Sequence, residues 1–416
     1  MNSANKPVRL LNAAVIVASL GYFVDIYDLL LFGIIRIKSL QSLNLTGEEI
    51  DRVGMWLINI QMVGMLIGGI IWGVLGDKKG RLSVLFGSIL LYSVANVANG
   101  MVGGEHAIAW YMVWRFLAGL GLAGELGAGI TLVSEVLPKE KRGLGTMIVA
   151  SVGISGAVVA YFVSEYFGDN WRVCYYIGGG LGLALLVLRI SVVESGMFNN
   201  IKDASNVSRG NYLSFFTNKE RFFRYLKCIM IGLPTWYVVG ILMTFSNAFA
   251  KEMGVQGPID PGKAIMICYA ALTAGDFASG YLSQLMRSRK KVLYIFYALV
   301  LVSVIWYFNA YGYTVNGFYT ICGVMGFSVG FWAIFVTVAA EQFGTNLRAT
   351  AATTAPNYAR GLLPVISILF GGLQSAGMSY LQSGLITGLI CILLAFVFAF
   401  TMEETFGKDL DYVEEV

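Results

Sequence analysis

The feature that most constrains this chain is a series of twelve long apolar runs separated by short charged loops. Each run is roughly twenty residues, which as a helix spans a hydrocarbon core of about 30 Å. Inside lipid, a helix satisfies its backbone hydrogen bonds within itself. Residue content agrees: 57% is hydrophobic and 13% charged, against about 45–50% and about 25% in soluble domains. The expectation is an all-α membrane protein of twelve transmembrane helices in two six-helix bundles. The first six spans are expected over Leu11–Ile35, Val53–Leu75, Leu82–Met101, Ile108–Val133, Leu144–Tyr166 and Val173–Ile190. The second six are expected over Tyr225–Ala250, Ala264–Met286, Val292–Tyr311, Val315–Ala339, Ala349–Leu373 and Ser383–Met402. No small-residue cleavage site follows the first run, which is expected to stay as a span.

Lys and Arg divide unevenly between alternate loops. With the N-terminus inside, the inner segments hold twenty of these cations and the outer ones six, Arg36 and Lys38 among the latter. The positive-inside rule then puts both termini in the cytoplasm, the membrane being expected to be a bacterial plasma membrane. The division is residues 1–193 for one bundle, 194–224 for a cytoplasmic connecting loop, 225–402 for the second bundle and 403–416 for a cytoplasmic tail. A weak repeat supports two related halves. GVLGDKKGR from Gly73 to Arg81 is echoed by GYLSQLMRSRKK from Gly280 to Lys291, an offset of 207. EVLPKEKR from Glu135 to Arg142 is echoed by EQFGTNLR from Glu341 to Arg348, an offset of 206.

Several classes are excluded. Five scattered cysteines and a single histidine, His106, suit neither a disulfide framework nor a His-based metal centre. No HExxH motif is present, so an enzyme is not expected, nor a cofactor or metal. The net charge of +4 reflects the loops and not nucleic-acid binding.

The loop signature GxxxDxxGR, matched by Gly73, Asp77, Gly80 and Arg81, resembles that of the major facilitator superfamily. Further matches resemble its metabolite:proton symporters: DIYDLLLFG from Asp25 to Gly33; Arg115, Gly119, Gly124, Glu125 and Gly127; and Glu135, Pro138, Arg142 and Gly143. Trp171, Arg172, Glu194, Ser195 and Phe198 continue the pattern, as do Glu341, Phe343, Thr345, Arg348, Asn357 and Tyr358. Gly196 and Gln284 depart from it, standing where proline and aspartate are usual. The EETFGKDL tail is similar to that of sugar porters, and the Asn357 to Gly361 stretch to sialate and aromatic-acid symporters. The resemblance implies alternating access, with Gly73, Asp77, Gly80, Arg81, Glu135, Arg142 and Arg348 latching the inner side.

Ionisable groups inside spans are costly and usually face a partner or a water-filled cavity. Here they are Asp25, Asp28, Arg115, Glu125, Asp276 and Arg360, with Glu165 and Arg189 nearer span ends. Depth and the resemblance allow Asp28 to meet Arg115, with Asp25 competing for that cation, and Asp276 to neutralise Arg360. Asp25, Asp28, Glu125 and Asp276 are the candidate proton carriers. A fixed ion pair for Asp28, and a hydrogen bond across a tight helix contact for Glu125, stay open. Arg360 suits a carboxylate, with Asn357, Tyr358, Tyr27, Trp236 and Arg115 as further candidate solute contacts. The expected activity is proton-coupled symport of a small organic-acid metabolite by a monomer whose partners are solute, proton and bilayer. A porter of sugar or another neutral solute, and a ligand sensor without flux, are the alternatives.

Overall fold

The computed structural model describes residues 11–79, 81–125, 137, 139–194, 212–408 and 414. Over the described residues, each of the twelve expected runs falls mainly on helix. The first six become α1 (Ala13–Ser42), α2 (Glu48–Lys79), α3 (Arg81–Gly100), α4 (Ala107–Leu122), α5 (Lys139–Phe167) and α6 (Trp171–Glu194). The later part of the fourth run, from Leu126 on, lies outside the described residues. Helix α1 continues past the expected end at Ile35, so Arg36 and Lys38 are helical and not in a loop.

Three of the second six are interrupted, the seventh span twice. The seventh span is α7 (Lys219–Met230), then α8 (Leu233–Tyr237) running into a π-helical turn over Val238–Met243, then α9 (Ser246–Glu252). It starts at Lys219, inside the expected connecting loop. The eighth and ninth, α10 (Pro261–Met286) and α11 (Arg289–Phe308), are continuous. The tenth is α12 (Val315–Ser328) with α13 (Trp332–Glu341), the eleventh α14 (Thr345–Gly361) with α15 (Leu363–Ser375), and the twelfth α16 (Tyr380–Thr401). Two breaks have a proline in the first turn of the following helix, Pro234 in α8 and Pro364 in α15. Proline gives no amide back to the preceding turn, so the helix restarts there. The seventh span bends by 40°. At the break in the tenth span, Gly330 lies against the backbone of Gly275 on α10, where a Cβ has no room.

Among the described residues, eight helices are long and apolar enough to cross a membrane, or nine if the bent pair counts as one span. Within the first six, α1 packs on α5 and α6, α2 on α4, and α3 on α4 and α6. In the second set α10 packs on α12. The two sets meet where α2 lies against α14 and α15, and where α5 lies against α10. An offset of 206 carries α2 onto α10 and α5 onto α14 and α15. The two contacts are therefore one contact seen from each side, as a parallel repeat about an axis along the membrane normal requires.

Of the loop-latch residues, Gly80 and Glu135 lie outside the described residues. Gly73, Asp77, Arg81 and Arg142 sit on helix, and their side chains are outside the described set. Arg348 lies early in α14. The chain after α16 is tied down instead: Glu404 accepts from the amides of Arg289 (2.9 Å) and Lys290 (3.2 Å) and from the Ser288 hydroxyl. Glu341 pairs with Arg289 at 3.0 Å and accepts from Thr405 at 2.7 Å.

Burial pushes the Glu404 carboxyl up, but hydrogen bonds from Ser288 and the Phe406, Arg289 and Lys290 amides outweigh it and hold it below the ordinary 4.5. A carboxylate favoured in the folded state stabilises at pH above its unfolded pKa and ceases to as pH falls through its folded one. Exchange of the Arg289 and Lys290 amides is thus expected to stay slow at pH 6 and to speed up, relative to neighbouring amides, only below pH of about 4.5. Glu404→Gln should lose that protection at neutral pH, and an unchanged pattern would remove Glu404 from the strap.

Candidate functional site

The three interrupted spans deliver three large side chains to one place. Trp236 lies in α8 just after the first break, Trp332 opens α13, and Arg360 is the second-last residue of α14. The Arg360 guanidinium carbon stands 5.8 Å from each indole centroid. The two indoles meet edge to face, 6.3 Å apart at 75°. From the other half, Asp25 on α1 brings a carboxylate oxygen to 3.8 Å from Arg360 Nη1. Arg360 is 1% exposed and Asp25 0%.

That separation is an ion pair without a hydrogen bond. Both Asp25 oxygens, Arg360 Nη1 and Nε, and Trp236 Nε1 are buried with no hydrogen-bond partner among the described residues. Buried polar groups are normally paired, so such a cluster marks a place where a ligand or water completes the bonding. The Tyr22 hydroxyl reaches toward the Trp332 indole on the same side.

The arrangement departs from the pairings read from sequence. Asp276 does not face Arg360; its Oδ1 accepts from the Ala333 amide at 3.1 Å. The break before α13 leaves amides with no carbonyl one turn back, and Asp276 satisfies one of them. Arg115 does not take Asp28. Its guanidinium donates to Gln61 Oε1 and lies 4.5 Å from the Phe32 ring centroid. The Asp28 carboxylate points at Gly178 of α6, where a Cβ would collide with it, and among the described residues it has no ion pair. Neighbouring positions on one helix thus aim differently: Asp25 toward the second half, Asp28 into the first.

Glu125 holds Arg189 through two hydrogen bonds, one of 3.0 Å, with both side chains buried. Tyr27 donates to the Cys174 carbonyl at 3.0 Å, inside the first half. Asn357 donates to the Ala123 carbonyl at 2.8 Å, joining the halves just past the end of α4. Tyr358 meets the Tyr212 hydroxyl, the rings stacked at 6.4 Å. At about 100° per residue a regular helix turns Tyr358 to the face opposite Arg360. Of the candidate solute contacts, only Trp236 therefore stands with Arg360. Trp332 was missed, although the glycine two positions before it signals the break that places it. Arg189 was seen only as a charge near a span end.

The sequence profile of the Major Facilitator Superfamily matches residues 16–355. The niacin transporter NiaP of Acinetobacter baylyi is 26% identical over 432 residues, covering 95% of both chains. The sialic acid transporter NanX of Escherichia coli is 27% identical over 249 residues, 58% of each. Among solved structures, the proton:xylose symporter XylE bound to 6-bromo-6-deoxy-D-glucose superposes with a TM-score of 0.67 at 15% identity, covering 96% of this chain and 97% of that one.

Proposed function

We propose that this chain, which belongs to the Major Facilitator Superfamily of membrane transporters, carries a small organic carboxylate together with a proton by alternating access. The observation that carries this reading is the loose, fully buried Asp25–Arg360 pair, drawn from opposite halves and flanked by two indoles. An incoming carboxylate can take the Arg360 fork through two parallel hydrogen bonds, which the 3.8 Å contact with Asp25 does not. Asp25 then faces an apolar site without its cation, and burying an isolated charge costs far more than neutralising it. It takes a proton. Solute anion and proton enter together, and the charge of the site is the same before and after.

The indoles favour a flat solute, whose ring can lie against them. Niacin, named for the A. baylyi relative, is a pyridine carboxylate of that shape. We place the protein in a bacterial inner membrane as a monomer, both termini cytoplasmic, with the bundles over 1–193 and 225–402. The loop signature around Asp77 and Arg142 would close the inner side.

The test is uptake into proteoliposomes, with niacin as the first probe. An imposed inward pH gradient should drive accumulation of a monocarboxylate, while a potassium-diffusion potential alone should not. Asp25→Asn is expected to bind solute yet lose accumulation by the gradient. Uptake indifferent to the gradient in the parent protein would replace symport by facilitated diffusion, and no flux at all would favour a sensor.

A further inference from the structure

By sequence, Arg36 is one of the few cations on the side away from the termini. It lies instead on α1, 0% exposed, between the halves. Its Nη1 pairs with Asp51 in the first turn of α2 at 2.6 Å. One turn on, Gly54 leaves the room that the Arg36 side chain fills, since a Cβ there would stand 2.7 Å from Arg36 Cδ. The other nitrogen crosses to the second half. Nη2 donates to the Thr244 carbonyl at 3.0 Å and to Asn247 Oδ1 at 3.2 Å, and the guanidinium carbon lies 4.4 Å from the Phe245 ring centroid.

The acceptor exists because the seventh span is broken there. After the π-helical turn, Ala248 and Phe249 both donate to the Phe245 carbonyl. The carbonyl of Thr244 is thereby left to face α1. A buried guanidinium fills that gap well: it is always charged, has five donors, and stacks on aromatic faces. The grip has two parts. Asp51 and Gly54 hold Arg36 to the first half, whereas Thr244, Phe245 and Asn247 are its seat on the second. Ser367 Oγ to Asn59 Oδ1, at 3.0 Å, is a further neutral bond between the halves, from α15 to α2.

We propose that Arg36 is the positioning residue that fastens the outer end of the transport path shut, that Asp51 keeps it aimed, and that outward opening requires its withdrawal from the Thr244–Asn247 seat. This rests on the alternating-access reading above, with the outer end taken as the one opposite the termini.

The test measures that end directly and needs no solute. All five cysteines are buried, so a nitroxide can be directed to two introduced ones, at Glu105 before α4 and Asn316 at the start of α12. Both positions are exposed at the end where α1 finishes. In liposomes the parent pair should give one dominant distance. Arg36→Gln should add a longer one, raising the open-to-closed ratio about tenfold or more, the scale of a lost charged hydrogen bond. Asp51→Asn and Asn247→Ala should shift it the same way by less, and Arg36→Lys should recover part of the parent distribution. If all variants stay folded by thermal melting and keep the parent distances, the fastening role is overturned, whatever the flux. Shifted distances in a parent that carries no carboxylate would leave Arg36 as the fastener and overturn the transport reading alone.

Discussion

Arg360→Ala is expected to weaken solute binding and gradient-driven uptake by about 100-fold or more. Truncating one partner of a buried, hydrogen-bonded charge pair costs roughly 2–5 kcal/mol, and 2.7 kcal/mol is about a hundredfold. In this chain the loss has two sources: the solute carboxylate loses its fork, and Asp25 is left buried with no cation. Arg360→Lys keeps the charge but not the planar pair of donors, so about a tenfold loss is expected. A thermal-shift titration with niacin and other carboxylates at two pH values reads the binding part, because a ligand that binds only the folded state raises the melting temperature. Equal stabilisation of parent, Ala and Lys forms would take Arg360 out of the site.

A second large effect is expected at Glu125. With Arg189 buried against it through two hydrogen bonds, Glu125→Gln leaves a guanidinium without its counter-charge. Breaking such a pair from one side typically costs about 3–5 kcal/mol. The purified variant should therefore melt well below the parent, and Glu125→Gln combined with Arg189→Met should recover most of the difference. The sequence left two roles open for this acid, proton carrier or tight helix contact. They separate here: a variant that melts like the parent but loses the pH dependence of uptake would assign Glu125 to proton transfer.

The fold was legible because apolar length and loop charge are local properties of the chain. Span positions follow from run length, and the offset of 206 to 207 between loop signatures reappears in the way α2 meets α14 and α15 while α5 meets α10. The site was less legible. Depth along a helix can be counted from residue numbers, which is why Asp28, Arg115, Asp276 and Arg360 stood out. Which charge faces which depends on rotation and on breaks, and neither is in the count. The interruption at Gly330 made orphan amides that claimed Asp276, and Asp25 became the neighbour of Arg360. In the same way the extension of α1 to Ser42 turned Arg36 from a loop charge into a buried link.

The split of the Asp25–Arg360 pair between the two halves also bears on how the protein is made. On the ribosome the first bundle is complete before the second has been synthesised. Until the eleventh span arrives, Asp25 sits in the bilayer with its cation still missing, and Arg36 lacks the carbonyl of Thr244. Charges of this kind are expensive in hydrocarbon. The nascent first half is therefore an incomplete product: Asp25 stays neutral there only by holding a proton, and Arg36 has Asp51 but not yet its seat on the second half.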